Sequence, residues 1–400
     1  MKSLVNQVFD YCVIGAGIVG LSVAYKLTEK YPNASILILE KESQIGQHQT
    51  SHNSGVIHAG IYYAPESLKA RLCRQGLVET KAFCDQHGLA NESCGKLIVA
   101  TNKVEEERVE QLFRRAKNNS ANVRLIEKKE LQQLEPNIEG TLAILSPETG
   151  IVDYLSIAEK LKEILSAKVQ FQLNETVVNI QEKEGLISIS TKNKTYFSRK
   201  LIACAGLQAD RIARMAGLQL DCRIVPFRGE YFQLPRSKDN IVKHLIYPAP
   251  DPKLPFLGVH LTRMIDGSVT VGPNAILGWA REGYKKYSVD FNDTGDFLKF
   301  RGFWRLIRKN RNHAMSEVKN SMFKSAYLKE CQKYCPSLSL EDLLPYRAGI
   351  RAQVVSSDGV AVHDFLIKKT ASMLHVINAP SPAATSALPI AKMIVEESLV

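Results

Sequence analysis

Apolar residues fill positions 11–14, yield to glycines at 15, 17 and 20, recur at helical spacing to residue 27, and fill positions 36–39. The pattern predicts a strand, a tight turn, a helix and a second strand ending in a carboxylate, Glu40. That is the order of a dinucleotide-binding unit. Gly15 permits the turn, Gly17 lets backbone approach a pyrophosphate, and Gly20 lets the helix lie close to the strand. The freed amides at the helix N-terminus face an anion. Glu40, about 20 residues past the last glycine, is placed to bond an adenosine ribose. A glycine triplet alone would also fit an ordinary βα turn; the two flanking strands favour the dinucleotide.

Helical periodicity returns over 67–87, 104–116, 128–134 and 153–166, with short strands at 96–101, 169–171 and 186–189. Residues 200–206 repeat the motif of a buried strand running into Ala205-Gly206, which suggests a further strand of the nucleotide sheet. Strand alternation then covers 225–234, 241–247, 256–262 and 268–272 without long helices, predicting a separate antiparallel sheet. Residues 281–342 read as mostly helical, 374–377 as a strand and 387–398 as a closing helix. Nucleotide-type elements therefore occur at the start, middle and end. The expected division is a discontinuous cofactor domain (1–90, 147–220 and 343–400) and an inserted substrate domain (91–146 and 221–342).

A chain of 400 residues exceeds what one core usually serves, in keeping with two domains. No apolar run reaches the ~18 residues of a membrane span, and the stretch before the first strand is too short for a targeting peptide. The expected location is cytoplasmic. Eight cysteines are scattered without zinc or redox spacing, so no metal is expected. The net charge of +11 admits an anionic partner, but no recognition motif accompanies it and nucleic acid is not expected. The excess is concentrated: residues 281–330 hold twelve Lys or Arg against six Asp or Glu. Within it, 297–311 carries six basic residues and no acidic one. As one helix it would gather Phe297, Phe300, Phe303, Trp304 and Ile307 on one arc. Either that helix lies on an anionic membrane surface, the cytoplasmic face of the inner membrane, or it packs its aromatics into its own domain.

Four segments offer chemistry. In 48–60, Ser51, Asn53 and Ser54 can bond phosphate or ring atoms, while Gly55 and Gly60 let backbone pass close to a flat cofactor; a plain polar loop is the other reading. His58 in that loop is also a candidate for covalent flavin attachment. In 255–263, alternation puts Gly258, His260 and Thr262 on one strand face, a histidine beside cleared space and a hydroxyl. Arg347 and Arg351 offer planar forks that can hold a carboxylate, unless they are surface ion-pair partners. The small residues 378–387 precede the last helix as a second N-terminus facing a cofactor, or as a capped loop.

These segments together resemble the D-amino-acid-oxidase-like flavoproteins. Within that family, 52–63, 226–231, 257–263 with 271–275, and 378–385 are similar to the L-2-hydroxyglutarate oxidase/dehydrogenase branch, over essentially the whole chain. One departure is Arg351-Ala352, where much of the family has arginine-proline. The resemblance implies an α/β, Rossmann-like FAD-binding domain of the glutathione-reductase type, with an inserted α+β substrate domain built on an antiparallel sheet. It implies FAD contacts at Gly15, Gly17, Ile18, Val19, Gly20, Glu40, Lys41, Thr50, Ser51, Asn53, Ser54, Gly55, His58, Val177, Ala205, Gly206, Ser381, Ala383, Ala384 and Thr385. It further implies oxidation of a 2-hydroxy dicarboxylate, with electrons passing through FAD to quinone or dioxygen. His260 would take the hydroxyl proton and Arg351 hold the C1 carboxylate; Arg228, Arg347, Thr262 and Tyr62 would complete the substrate site. Two alternatives stay open: an amine oxidase of the glycine or sarcosine type, and a flavin-bearing protein recruited by its basic face. A nicotinamide enzyme would not need the additional cofactor-facing segments.

Overall fold

A computed structural model describes residues 7–119, 121–251, 258–311, 317, 319 and 321–397. β1 (Val8–Ile14), α1 (Ile18–Lys30) and β2 (Ile36–Leu39) build the first unit. β1 pairs in parallel with β2, and every side chain of β2 is buried, as a strand covered on both faces requires. The other edge of β1 pairs in parallel with Thr195–Ala203, whose last residues pair in parallel with Met373–Asn378. Val169–Gln172 lies beyond β2. Segments remote in sequence thus deliver their carboxyl ends to one edge of one sheet, where ligands of open α/β sheets bind. Leu21 and Leu27 of α1 share a core with Ile157 and Leu161 of Tyr154–Leu165 and Ile390 and Ile394 of Ala387–Glu397.

The second large sheet has eight strands. It is mixed rather than antiparallel: Leu245–Pro248 pairs in parallel with Lys96–Ala100. The long intervening segment supplies the crossover that a parallel pair needs. The expected strand 225–234 is also divided. Cys222–Gly229 joins a small sheet with Gly349–Ser356 and Ile276–Leu277, and only Phe232–Gln233 enters the large one. At the break, the amide of Glu230 donates to Asn274 Oδ1 at 2.8 Å, leaving the ladder. Of the expected strand 256–262, residues 256 and 257 lie outside the described residues, as does residue 398 of the last helix; pairing begins at His260.

The basic stretch 297–311 is two helices, Phe291–Leu298 and Arg301–Lys309, separated by Phe300 in extended backbone. Phe297, Phe303 and Leu306 are buried with Val225 and Val355, whereas Trp304 is 54% exposed. Most of the aromatic arc is therefore core. Among the described residues no helix is long and apolar enough to cross a membrane.

Candidate active site

The glycines of the first turn are set by contact. Gly15 has φ +100°, and a Cβ there would lie 2.5 Å from the carbonyl oxygen of Cys204. A Cβ on Gly20 would lie 2.0 Å from the carbonyl oxygen of Gly15, so α1 packs directly on the turn. Gly17 caps α1 without a side chain of its own, and the amide of Ile18 donates to Thr50 Oγ1 at 3.0 Å. Glu40 accepts from the amides of Ala16 at 2.8 Å and Glu42 at 3.0 Å. The carboxylate braces the turn, and its remaining lone pairs can still take a ribose hydroxyl. Lys41 Nζ bonds Glu42, His48 Nε2 at 2.8 Å and Glu282 at 2.9 Å. Those three side chains have metal-ligand spacing, but the ammonium already satisfies each of them.

The 48–60 loop is stapled internally. Asn53 Oδ1 accepts from the Gly55 amide at 2.8 Å while its amide donates to the carbonyls of Gln49 and Thr50. Ser51 Oγ bonds the His48 carbonyl, and Gly55, at φ +66°, backs onto the Val152 carbonyl. The His58 amide donates to Thr385 Oγ1 at 3.2 Å, and that hydroxyl meets Tyr154 at 2.8 Å. This stitches the loop to the segment before the last helix.

Between them runs a cavity of about 1420 Å³. One end is walled by Gly15, Gly17, Ile18, Val19, Glu40, Lys41 and Thr50, with Val177, Ala205 and Gly206. The middle is walled by Asn53, Ser54 and His58, facing Ser381, Ala383, Ala384 and Thr385. At the far end stand His260, Arg351 and Tyr62, joined by Tyr231 and Tyr247, which the sequence did not single out. Gly20, Ser51 and Gly55 support this wall without lining it. Tyr247 stacks on His260 with ring centroids 3.9 Å apart. His260 Nδ1 lies 3.0 Å from the Gly258 carbonyl oxygen, which assigns the proton to Nδ1 and leaves Nε2 as an acceptor. Burial, with Lys96 and Arg351 nearby, pushes the imidazole from its ordinary range down to about 3. The buried site holds it neutral. Burial also lowers Arg351, although a guanidinium keeps its charge at any working pH.

Three expected substrate residues are not brought to this cavity. Arg228 is ion-paired to Glu230 at 2.6 Å, both side chains 12% exposed. Arg347 is exposed and lines a small adjoining crevice, which shares His52, Asn53, Tyr231 and Gly349 with the cavity. Thr262 is fully buried.

A long cavity that starts at a glycine turn on a helix N-terminus and ends among rings and a guanidinium fits a flat dinucleotide with a small anion beyond it. Residues 10–397 match the family model described as FAD dependent oxidoreductase. The chain belongs to that family. FAD is the cofactor of this oxidoreductase, and the glycine turn, Glu40 and the 48–58 and 381–385 walls are the residues that would hold it. The flavoprotein is 49% identical to the L-2-hydroxyglutarate dehydrogenase of Escherichia coli strain UMN026, over 97% of this chain and 93% of that one. It is 40% identical to the mitochondrial L-2-hydroxyglutarate dehydrogenase of Homo sapiens, over 99% and 90%. In fold it is similar to the L-alpha-glycerophosphate oxidase of Mycoplasma pneumoniae solved with FAD bound, with TM-score 0.79 and 23% identity over 98% and 94% of the two chains.

Proposed function

We propose that this flavoprotein oxidises L-2-hydroxyglutarate to 2-oxoglutarate. The observation that carries the reading is the meeting of His260 and Arg351 at the end of the cavity that begins at the glycine turn. The names of the full-length relatives support the substrate. Bound FAD supplies the two-electron acceptor. Arg351 holds the C1 carboxylate through its planar fork and so fixes the orientation of C2. His260 Nε2 takes the proton of the C2 hydroxyl. A carboxylate entering beside the imidazole raises its proton affinity, offsetting the burial that keeps it neutral in the free enzyme. In this reading the sheet that holds β1 and β2 carries the cofactor and the second large sheet the substrate. Electrons leave to quinone or dioxygen. Exposed Trp304 with Arg305, Arg308 and Lys309 would give a peripheral contact for an anionic membrane, the source of quinone.

An anaerobic spectral titration tests the substrate. L-2-hydroxyglutarate should bleach the flavin while D-2-hydroxyglutarate, glycine and sarcosine leave it oxidised; readmitting dioxygen or a quinone then identifies the acceptor. Bleaching by an amine and not by the hydroxy acid would overturn the reading. Sedimentation with anionic liposomes at low salt tests the membrane contact, which fails if the protein stays in the supernatant.

A further inference from the structure

Lys96 opens the strand Lys96–Ala100, in which every side chain is buried, and is itself only 1% exposed. Its ammonium lies 4.8 Å from the ring centroid of Tyr62 and 4.3 Å from that of Tyr247. Both rings wall the far end of the cavity and Tyr247 also stacks on His260; Lys96 is not itself a lining residue and reaches the cavity only between these two rings. Aromatic faces stabilise a cation without neutralising it. No carboxylate forms an ion pair with Lys96 among the described residues. The neighbouring thiol of Cys73 is pushed up to about 12 and stays neutral. Of the cations that line the cavity, Arg108 is paired with Asp251 at 3.1 Å, Lys41 with Glu282 at 2.9 Å and Arg211 with Asp293 at 2.6 Å, while Lys69 and Arg115 donate to the carbonyls of His363 and Tyr62. A buried charge without a counter-ion is costly, and such a group is retained where a ligand completes it.

We propose that Lys96, framed by Tyr62 and Tyr247, receives the second carboxylate of the substrate and is the residue that selects a dicarboxylate over a 2-hydroxy monoacid. This rests on the function proposed above, whose C1 carboxylate goes to Arg351. The two cations are then divided between the two ends of the substrate, and His260 lies in the field of both. Burial draws the Lys96 ammonium down to about 8, so it is largely charged at neutral pH and loses its charge just above.

The test uses the FAD-loaded enzyme and two ligands that cannot be oxidised, glutarate and pentanoate, with the flavin absorbance change reporting binding. The wild type should bind glutarate more tightly. Lys96→Met, which keeps the stem in place, should weaken glutarate by about 10- to 100-fold and change pentanoate by less than about 3-fold. Equal weakening of both ligands, or no change in either, overturns the proposal. Wild-type enzyme gives a second reading that does not depend on the variant folding. Its preference for glutarate should fade as pH rises through about 8, since His260 lies at about 3, His58 well below its usual range, Cys73 at about 12, and Tyr62 and Tyr247 are raised; Lys69, which lines the same cavity and is also lowered by burial, is separated by repeating the titration with Lys69→Met, which should keep the fade. A preference that is flat from pH 7 to 9 would overturn it. If the wild type is not bleached by L-2-hydroxyglutarate at all, the substrate reading fails and takes this one with it; bleaching with an unchanged Lys96→Met profile sinks the Lys96 role alone.

Discussion

His260 Nδ1 sits 3.0 Å from the carbonyl oxygen of Gly258, two residues back on the same stretch of chain. The bond fixes one tautomer, with the proton on Nδ1 and the lone pair on Nε2, in a ring stacked on Tyr247. With its conjugate acid held at about 3, His260 is unprotonated throughout the working range. The acid limb of kcat/KM should therefore lack an inflection near 6.5 from this group, because loss of the base requires pH to fall toward 3. His260→Ala should slow flavin reduction by roughly 10²-fold or more. Stopped-flow traces matching the wild type would remove His260 from the proton transfer.

Arg351 lies opposite Phe227 in the pairing of Gly349–Ser356 with Cys222–Gly229, a register that aims it at the cavity from the small sheet. An ammonium cannot reproduce the fork, so Arg351→Lys should raise KM for the hydroxy acid by roughly 10-fold or more. It should weaken glutarate and pentanoate alike, in contrast to a change at Lys96. Unchanged KM would place the C1 carboxylate elsewhere.

The glycines of the first turn predict graded losses. Gly20→Ala places a methyl 2.0 Å from the Gly15 carbonyl, which rigid backbone cannot yield, so α1 must move and the protein should purify with little flavin and a lowered melting temperature. At Gly17 the nearest atom is the Thr50 hydroxyl at 3.3 Å. Gly17→Ala should fold and lose affinity for FAD instead, because the methyl enters the space a pyrophosphate uses. Flavin content by absorbance and thermal melts separate the two; equal behaviour would mean that the turn does not work this way.

What the sequence disclosed depends on the range of the contact. Gly15 to Glu40 was readable because turn, helix start and carboxylate act within one local unit. Tyr247 and Lys96 were not, because they meet only when strands some 150 residues apart pair in parallel, and register between remote strands leaves no local mark. Lys96 did leave a hint, a lone cation heading the apolar run Leu97 to Ala100. The break at Phe300 was hidden because helical periodicity continues across it, and only packing of Phe297 and Phe303 into one core requires two helices.

His375 gives the fold an acid sensitivity of its own. It lies in Met373–Asn378, 1% exposed, with neither ring nitrogen hydrogen-bonded, and burial pushes it down to about 4. The native state therefore holds it neutral, while the unfolded chain takes up a proton near 6.5. Below that pH the unfolded state binds more protons, so stability is intact above about 6.5 and falls as pH drops toward 4, where the native ring also protonates. The full loss from this one group is about 3 kcal/mol. His58 and His260, also depressed by burial, act in the same direction, so the contribution is read as a difference. His375→Leu should flatten the decline of chemical-denaturation stability between pH 6.5 and 4 relative to wild type. Parallel curves for the two proteins would show that the ring finds a proton-binding partner when the protein is folded.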